Sequence, residues 1–236
     1  MVLSLLAVSA LAVIAGEEPP ETEEPADTED APPRVQEEEE QIRLPAAGHA
    51  PLGSTGLQVA IRTGVSFPVG DISRGPTRAL ADRFAARVPI VVDFGVKPIP
   101  ELFVGGYGGV AWGAGAASCG GCAAWGFRIG LEAIVYLLPR SRVNPWLGYG
   151  VGYDSSFLRA GGVTQSVSGI DFANVTLGMD VRVSRAVGLG PYFEAALGSF
   201  GSQSFSERGS AVRDGDIAER AVHGWLSVGA RLVFEP

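Results

Sequence analysis

Val222-His223-Gly224-Trp225-Leu226-Ser227-Val228-Gly229-Ala230-Arg231-Leu232-Val233-Phe234 alternates along its whole length. Val222, Gly224, Leu226, Val228, Ala230, Leu232 and Phe234 fall on one side of a two-residue period. His223, Trp225, Ser227, Gly229 and Arg231 fall on the other. That period belongs to a β-strand with one apolar and one mixed face. Its length is at the upper end for soluble strands and matches the roughly 9–11 residues that cross a bilayer when tilted.

Seven segments upstream repeat the pattern, over residues 57–69, 90–97, 101–112, 125–137, 145–154, 172–183 and 189–200. In the first, Val59, Ile61, Val65 and Phe67 oppose Gln58, Arg62 and Ser66. With the last strand the count is eight, the even number that a closed antiparallel barrel needs. Four connections are expected to be long (70–89, 113–124, 155–171 and 201–221) and three short (98–100, 139–144 and 184–188). Barrels of the outer membrane alternate in this way, with short periplasmic turns and long external loops. Pro68, Pro89, Pro145 and Pro191 fall near strand ends, where a missing N–H costs the ladder little.

A soluble lipocalin-like barrel also has eight strands, with apolar side chains inside. Three features favour the reverse. The polar face is crowded with glycine (Gly95, Gly105, Gly130, Gly148, Gly150, Gly152), which suits a narrow interior. The apolar face carries no charge in mid-strand. Phe67, Trp112, Trp125 and Tyr153 sit on it at the loop ends, as an aromatic girdle would. The reading is an all-β, eight-stranded, antiparallel up-and-down transmembrane β-barrel over residues 55–236.

Within the last strand, Ser227, Gly229, Leu232 and Phe234 resemble the C-terminal assembly signal of bacterial outer-membrane barrels: polar, any, Gly, any, any, apolar, any, aromatic. Strand count, loop asymmetry and this segment together resemble the OmpA/OmpX-type outer-membrane barrels over about 55–234. The resemblance implies the outer membrane of a Gram-negative-type bacterium. It implies two partners, the membrane lipid and the barrel-assembly machinery acting through the last strand.

The net charge of −8 misleads if spread over the whole chain. Residues 17–43 hold 12 acids and 2 bases, whereas the chain after Arg43 holds 14 acids and 16 bases. Nothing here points to nucleic acid. Residues 1–15 have the length and apolarity of a signal peptide, with Val13 and Ala15 as small-residue cleavage positions. Residues 16–54, rich in Glu and Pro, are expected to form a disordered periplasmic linker, because self-repulsion and scarce apolar area oppose folding. A periplasmic partner for this acidic tail is the alternative to a plain spacer.

The polar face places Arg62, Lys97, Arg128, Arg182 and Arg231 against Asp93, Glu101, Glu132, Asp180 and Glu194. Isolated charges in a low-dielectric interior are expensive, so these are expected to pair into a lumen charge network. Such a network plugs the barrel or, alternatively, lines a narrow ion or small-solute pore. Cys119 and Cys122, alone in an external loop, are expected to form a disulfide rather than hold metal or haem, and no cofactor is expected. Residues 77–87 have the spacing of a short amphipathic helix, with Leu80 and Phe84 on one face. Some lipid-modifying outer-membrane enzymes use a rim histidine, and His223 is the residue that could serve. No Ser-His-acid spacing accompanies it. A non-enzymatic structural or surface-interaction role is the primary reading.

Overall fold

The computed structural model of the chain describes residues 55–74, 79–207 and 210–236, with backbone only over 210–214. The expected signal segment and acidic linker lie outside the described residues, as do Thr77 and Arg78 of the expected loop helix. The strands are β1 (Gly56–Gly70), β2 (Phe84–Ile99), β3 (Leu102–Gly115), β4 (Ala123–Tyr136), β5 (Val143–Ala160), β6 (Val163–Arg182), β7 (Val187–Glu207), β8 (Ser210–Asp216) and β9 (His223–Phe234). From β1 to β7, each strand pairs antiparallel with the next. β9 pairs with both β7 and β1, which closes a ring of eight without a free edge. β8 stands outside the ring, on the far end of β7, where Ser202 faces Asp216 and Glu207 faces Ser210.

One end of the ring has tight turns whose side chains supply the missing hydrogen bonds. Asn144 Oδ1 accepts from the Leu138 N–H at 3.1 Å. Ser184 Oγ accepts from the N–H groups of Ala186 (3.3 Å) and Val187 (3.1 Å). At the other end the strands run on past the alternating core. The expected loop over 155–171 is instead a hairpin, with β5 and β6 paired out to Ala160 and Val163. They turn on Gly161 and Gly162, whose φ values of 53° and 89° suit glycine. The expected loop over 201–221 likewise holds the β7–β8 ladder. Beyond the apolar belt both faces of these ribbons carry Ser, Thr and Gln, so the hydropathy alternation stops although the ladder does not.

The expected loop helix is a single 3-10 turn, Leu80–Asp82. From Phe84 on the ladder claims the segment: Phe84 faces Gly115 and Arg87 faces Gly113, with a register shift between the two pairs. Leu80 is fully buried and Phe84 nearly so, and both belong to the apolar cluster inside the mouth of the barrel.

The wall has two opposite faces. Leu131 (69% exposed), Ile129 (60%) and Phe94 (59%) point outward in mid-strand, while Asp93, Arg62 and Glu132 between them are buried. Phe67, Trp112, Trp125 and Tyr153 are exposed on the outer wall toward the long-hairpin end. There Trp125 stacks on Phe157 at 4.1 Å. Burying ions and exposing an apolar belt is stable only where the surroundings of the belt are apolar.

Candidate functional site: the barrel lumen

Inward positions from every strand of the ring converge on the lumen, which is layered along its length. At mid-height, the Arg62 guanidinium on β1 donates to Asp93 on β2 (2.7 Å), Glu194 on β7 (2.6 Å) and Glu132 on β4 (3.3 Å). Glu194 also accepts from Arg128 on β4, so one carboxylate joins two cations. Arg128 reaches Asp171 on β6 at 2.9 Å. Arg231 on β9 pairs with Asp180 at 2.6 Å and approaches Asp93 at 3.9 Å. Nearer the hairpins, Arg87 pairs with Asp154 at 3.2 Å, and its guanidinium carbon lies over the Trp225 ring, 3.4 Å from the centroid. Nearer the short turns, Glu235 joins Lys97 (2.9 Å) and Arg182 (2.6 Å).

Glu101, placed by its spacing in the same network, is not part of it. The β2–β3 register slips between Val96 and Ile99, which leaves Glu101 exposed in the turn beyond Ile99↔Leu102. Four charged residues that the spacing did not single out join instead: Arg87, Asp154, Asp171 and Glu235. Three of them continue the inward parity of their strands, Arg87 below Val91, Asp154 above Gly152 and Glu235 beyond Val233. Asp171 had no such signal. A slip of the β6–β7 register between Asp171 and Ala173 turns both Asp171 and Asn174 inward, which a strict period of two forbids.

Apolar layers lie on either side of the ions. Phe103, Ile134, Tyr136, Trp146 and Tyr192 form one toward the short turns, where the Tyr136 hydroxyl and the Gln58 amide are hydrogen-bonded at 2.8 Å. Leu80, Phe84, Leu158, Phe200, Ile217 and Trp225 belong to the other, toward the hairpins. Glycine makes room for the inward rings. A Cβ on Gly130 would stand 2.6 Å from Tyr107 Cζ, and one on Gly95 2.8 Å from Phe103 Cε2. The Tyr107 ring lies between Arg62 and Arg128, 6.0 and 5.8 Å from their guanidinium carbons.

His223 is 1% exposed and stacks on Phe200 at 3.5 Å. Neither of its ring nitrogens has a hydrogen-bond partner among the described residues. Cys119 and Cys122 are joined as a disulfide, with Cα atoms 5.7 Å apart, beside the hairpin-end cluster. Of the assembly-signal positions, Leu232 and Phe234 point outward, and the Ser227 hydroxyl turns inward to Ser66 Oγ at 3.0 Å. Gly229 packs so close to β1 that a Cβ would come within 2.7 Å of the Gly64 Cα. Among the described residues no cluster of His, Cys, Asp or Glu could hold a metal ion.

A closed ring of eight strands, apolar without and ionic within, defines an outer-membrane-type β-barrel. No family model matches the chain, and no curated protein matches it. Among solved structures, it is similar to Neisserial surface protein A at 16% identity, covering 75% of this chain and 96% of that one, with a TM-score of 0.47. It is similar to the outer membrane protein OprG from Pseudomonas aeruginosa at 11% identity, covering 79% and 100%, with a TM-score of 0.49. It also resembles the outer membrane protease OmpT from Escherichia coli at 11% identity, covering 77% and 98%, with a TM-score of 0.36. The assignment rests on the strand pairing and the two faces of the wall.

Proposed function

We propose that the chain is a non-enzymatic integral protein of a Gram-negative-type outer membrane, with a structural or surface-interaction role carried by its long hairpins. The short turns and the acidic N-terminal tail face the periplasm, and the hairpins face outward. The belt is solvated by membrane lipid, and β9 carries the signal for the barrel-assembly machinery. One observation carries the reading: mid-lumen cations are bridged by shared carboxylates between two apolar layers, which leaves the interior filled. An eight-stranded barrel has room for side chains and little else. The purified protein in planar bilayers is expected to show no steady conductance. A steady conductance altered by Arg128→Ala would replace the plug with a pore. Heat-modifiable gel migration tests the barrel itself, since a folded cylinder resists detergent until boiled. Burial of His223 against Phe200 supports a packing role, so lipid profiles of cells carrying His223→Ala are expected to match those of the unmodified strain.

A further inference from the structure

The hairpin end holds a cavity of about 340 Å³, between the connections that follow β1 and β3 and the extended ends of β5, β6 and β7. That volume is at the lower end of the roughly 300–1,000 Å³ typical of small-molecule pockets. Leu158, Val163, Phe205 and the disulfide-bonded Cys119 give it apolar walls, and Arg83 and Gln165 give it a polar side.

Arg83 is half-buried and forms no ion pair among the described residues, unlike every inward arginine at the waist. One of its Nη atoms donates to Gln165 Oε1 at 2.5 Å, which ties the guanidinium to another polar residue of the lining. Its backbone is pinned on both sides. The Arg83 N–H donates to the Leu80 carbonyl at 3.1 Å, and the Ala116 N–H donates to the Arg83 carbonyl at 3.0 Å. The next residue, Phe84, anchors the segment in the apolar cluster. A fixed, half-desolvated cation beside apolar walls binds an anionic head and an apolar body together, and its preorganisation lowers the ordering cost. Asp82 also borders the cavity, but it is exposed, where solvent screens its charge.

We propose that this cavity is a binding site for a small amphiphilic carboxylate, with its head on Arg83 and its alkyl chain along Leu158, Val163 and Phe205. The site stands independently of the role proposed for the barrel and of which side of the membrane the hairpins face.

The test uses the full chain in lipid nanodiscs, titrated with octanoate and followed by the backbone amide resonances of Gln165 and Phe205. Octanol serves as the neutral control, since both probes enter the bilayer but only octanoate carries a head for Arg83. Saturable shifts are expected with octanoate and not with octanol. Arg83→Gln is expected to weaken octanoate binding by about tenfold or more, as loss of a charge-assisted hydrogen bond implies. Arg83→Lys is expected to recover part of that loss. Val163→Trp, which fills the cavity from its exposed rim, is expected to abolish the shifts while heat-modifiable migration is retained. Equal, non-saturating shifts with both probes, or unchanged octanoate affinity in Arg83→Gln, would overturn the proposal.

Discussion

At the level of Arg62 and Glu194 the lumen is filled by ions. A few residues along the same strands, at Trp225 and Phe200, it is filled by rings. The two layers share strands, a wall and a buried setting, yet they hold together differently. The ionic waist depends on every partner being present, because a buried charge that loses its counterion keeps its full desolvation cost. The apolar layer depends on area and fit, so it loses stability in proportion to what is cut away. Arg87 joins them, paired to Asp154 and placed over the Trp225 ring.

Breaking the waist is expected to cost most. Glu194→Ala removes the carboxylate that joins Arg62 to Arg128, leaving Arg62 with Asp93 and Glu132 and Arg128 with Asp171, and equilibrium unfolding from phospholipid vesicles is expected to show a loss of about 3–5 kcal/mol. A triple change, Arg62→Met, Arg128→Met and Glu194→Leu, removes both cations with the carboxylate that joins them. It also leaves Glu132 and Asp171 buried without the cations they pair with, so a larger loss than in Glu194→Ala is expected. If the triple variant is as stable as Glu194→Ala or more so, the waist is not governed by pairing. Trp225→Ala, in the apolar layer, is expected to cost about 3 kcal/mol by the same measurement. A larger loss there than in Glu194→Ala would reverse the ranking of the two layers. The disulfide ranks last. It closes a short loop, so Cys119→Ser with Cys122→Ser is expected to cost about 2 kcal/mol or less. Thiol titration of the unreduced protein is expected to find no reactive thiol, and two would remove the disulfide from the account.

Much of the waist is legible in the sequence. Arg62, Asp93, Lys97, Arg128, Glu132, Asp180, Arg182, Glu194 and Arg231 all sit on the minority face of a two-residue alternation. All nine are buried in the lumen. Glu101 shares that parity, but a turn has no parity to obey, and the slip after Val96 put it in solvent. Arg87, Asp154 and Glu235 extend their strands' pattern by one or two steps, past the point where the apolar face fades. Asp171 was hidden by a register slip, which changes phase without any mark in the sequence.

The hairpin-end layer was the less legible of the two. Leu80, Phe84, Leu158, Ile217 and Phe200 are far apart in the chain, and several lie in stretches that read as loops. Only closure of the ring brings them over one opening. The cavity beside Arg83 and the stacking of His223 on Phe200 arise in the same way.

The sequence by itself determined the strands, their alternating faces, the number needed for closure and most of the charges sent inward. Backbone pleating ties each of these to neighbouring residues. Tertiary structure alone decided which carboxylate met which guanidinium, where the register slipped, how far the hairpins ran and what sealed the mouth. Those outcomes depend on contacts across a cylinder between residues on different strands, and no local period encodes the distance across a lumen.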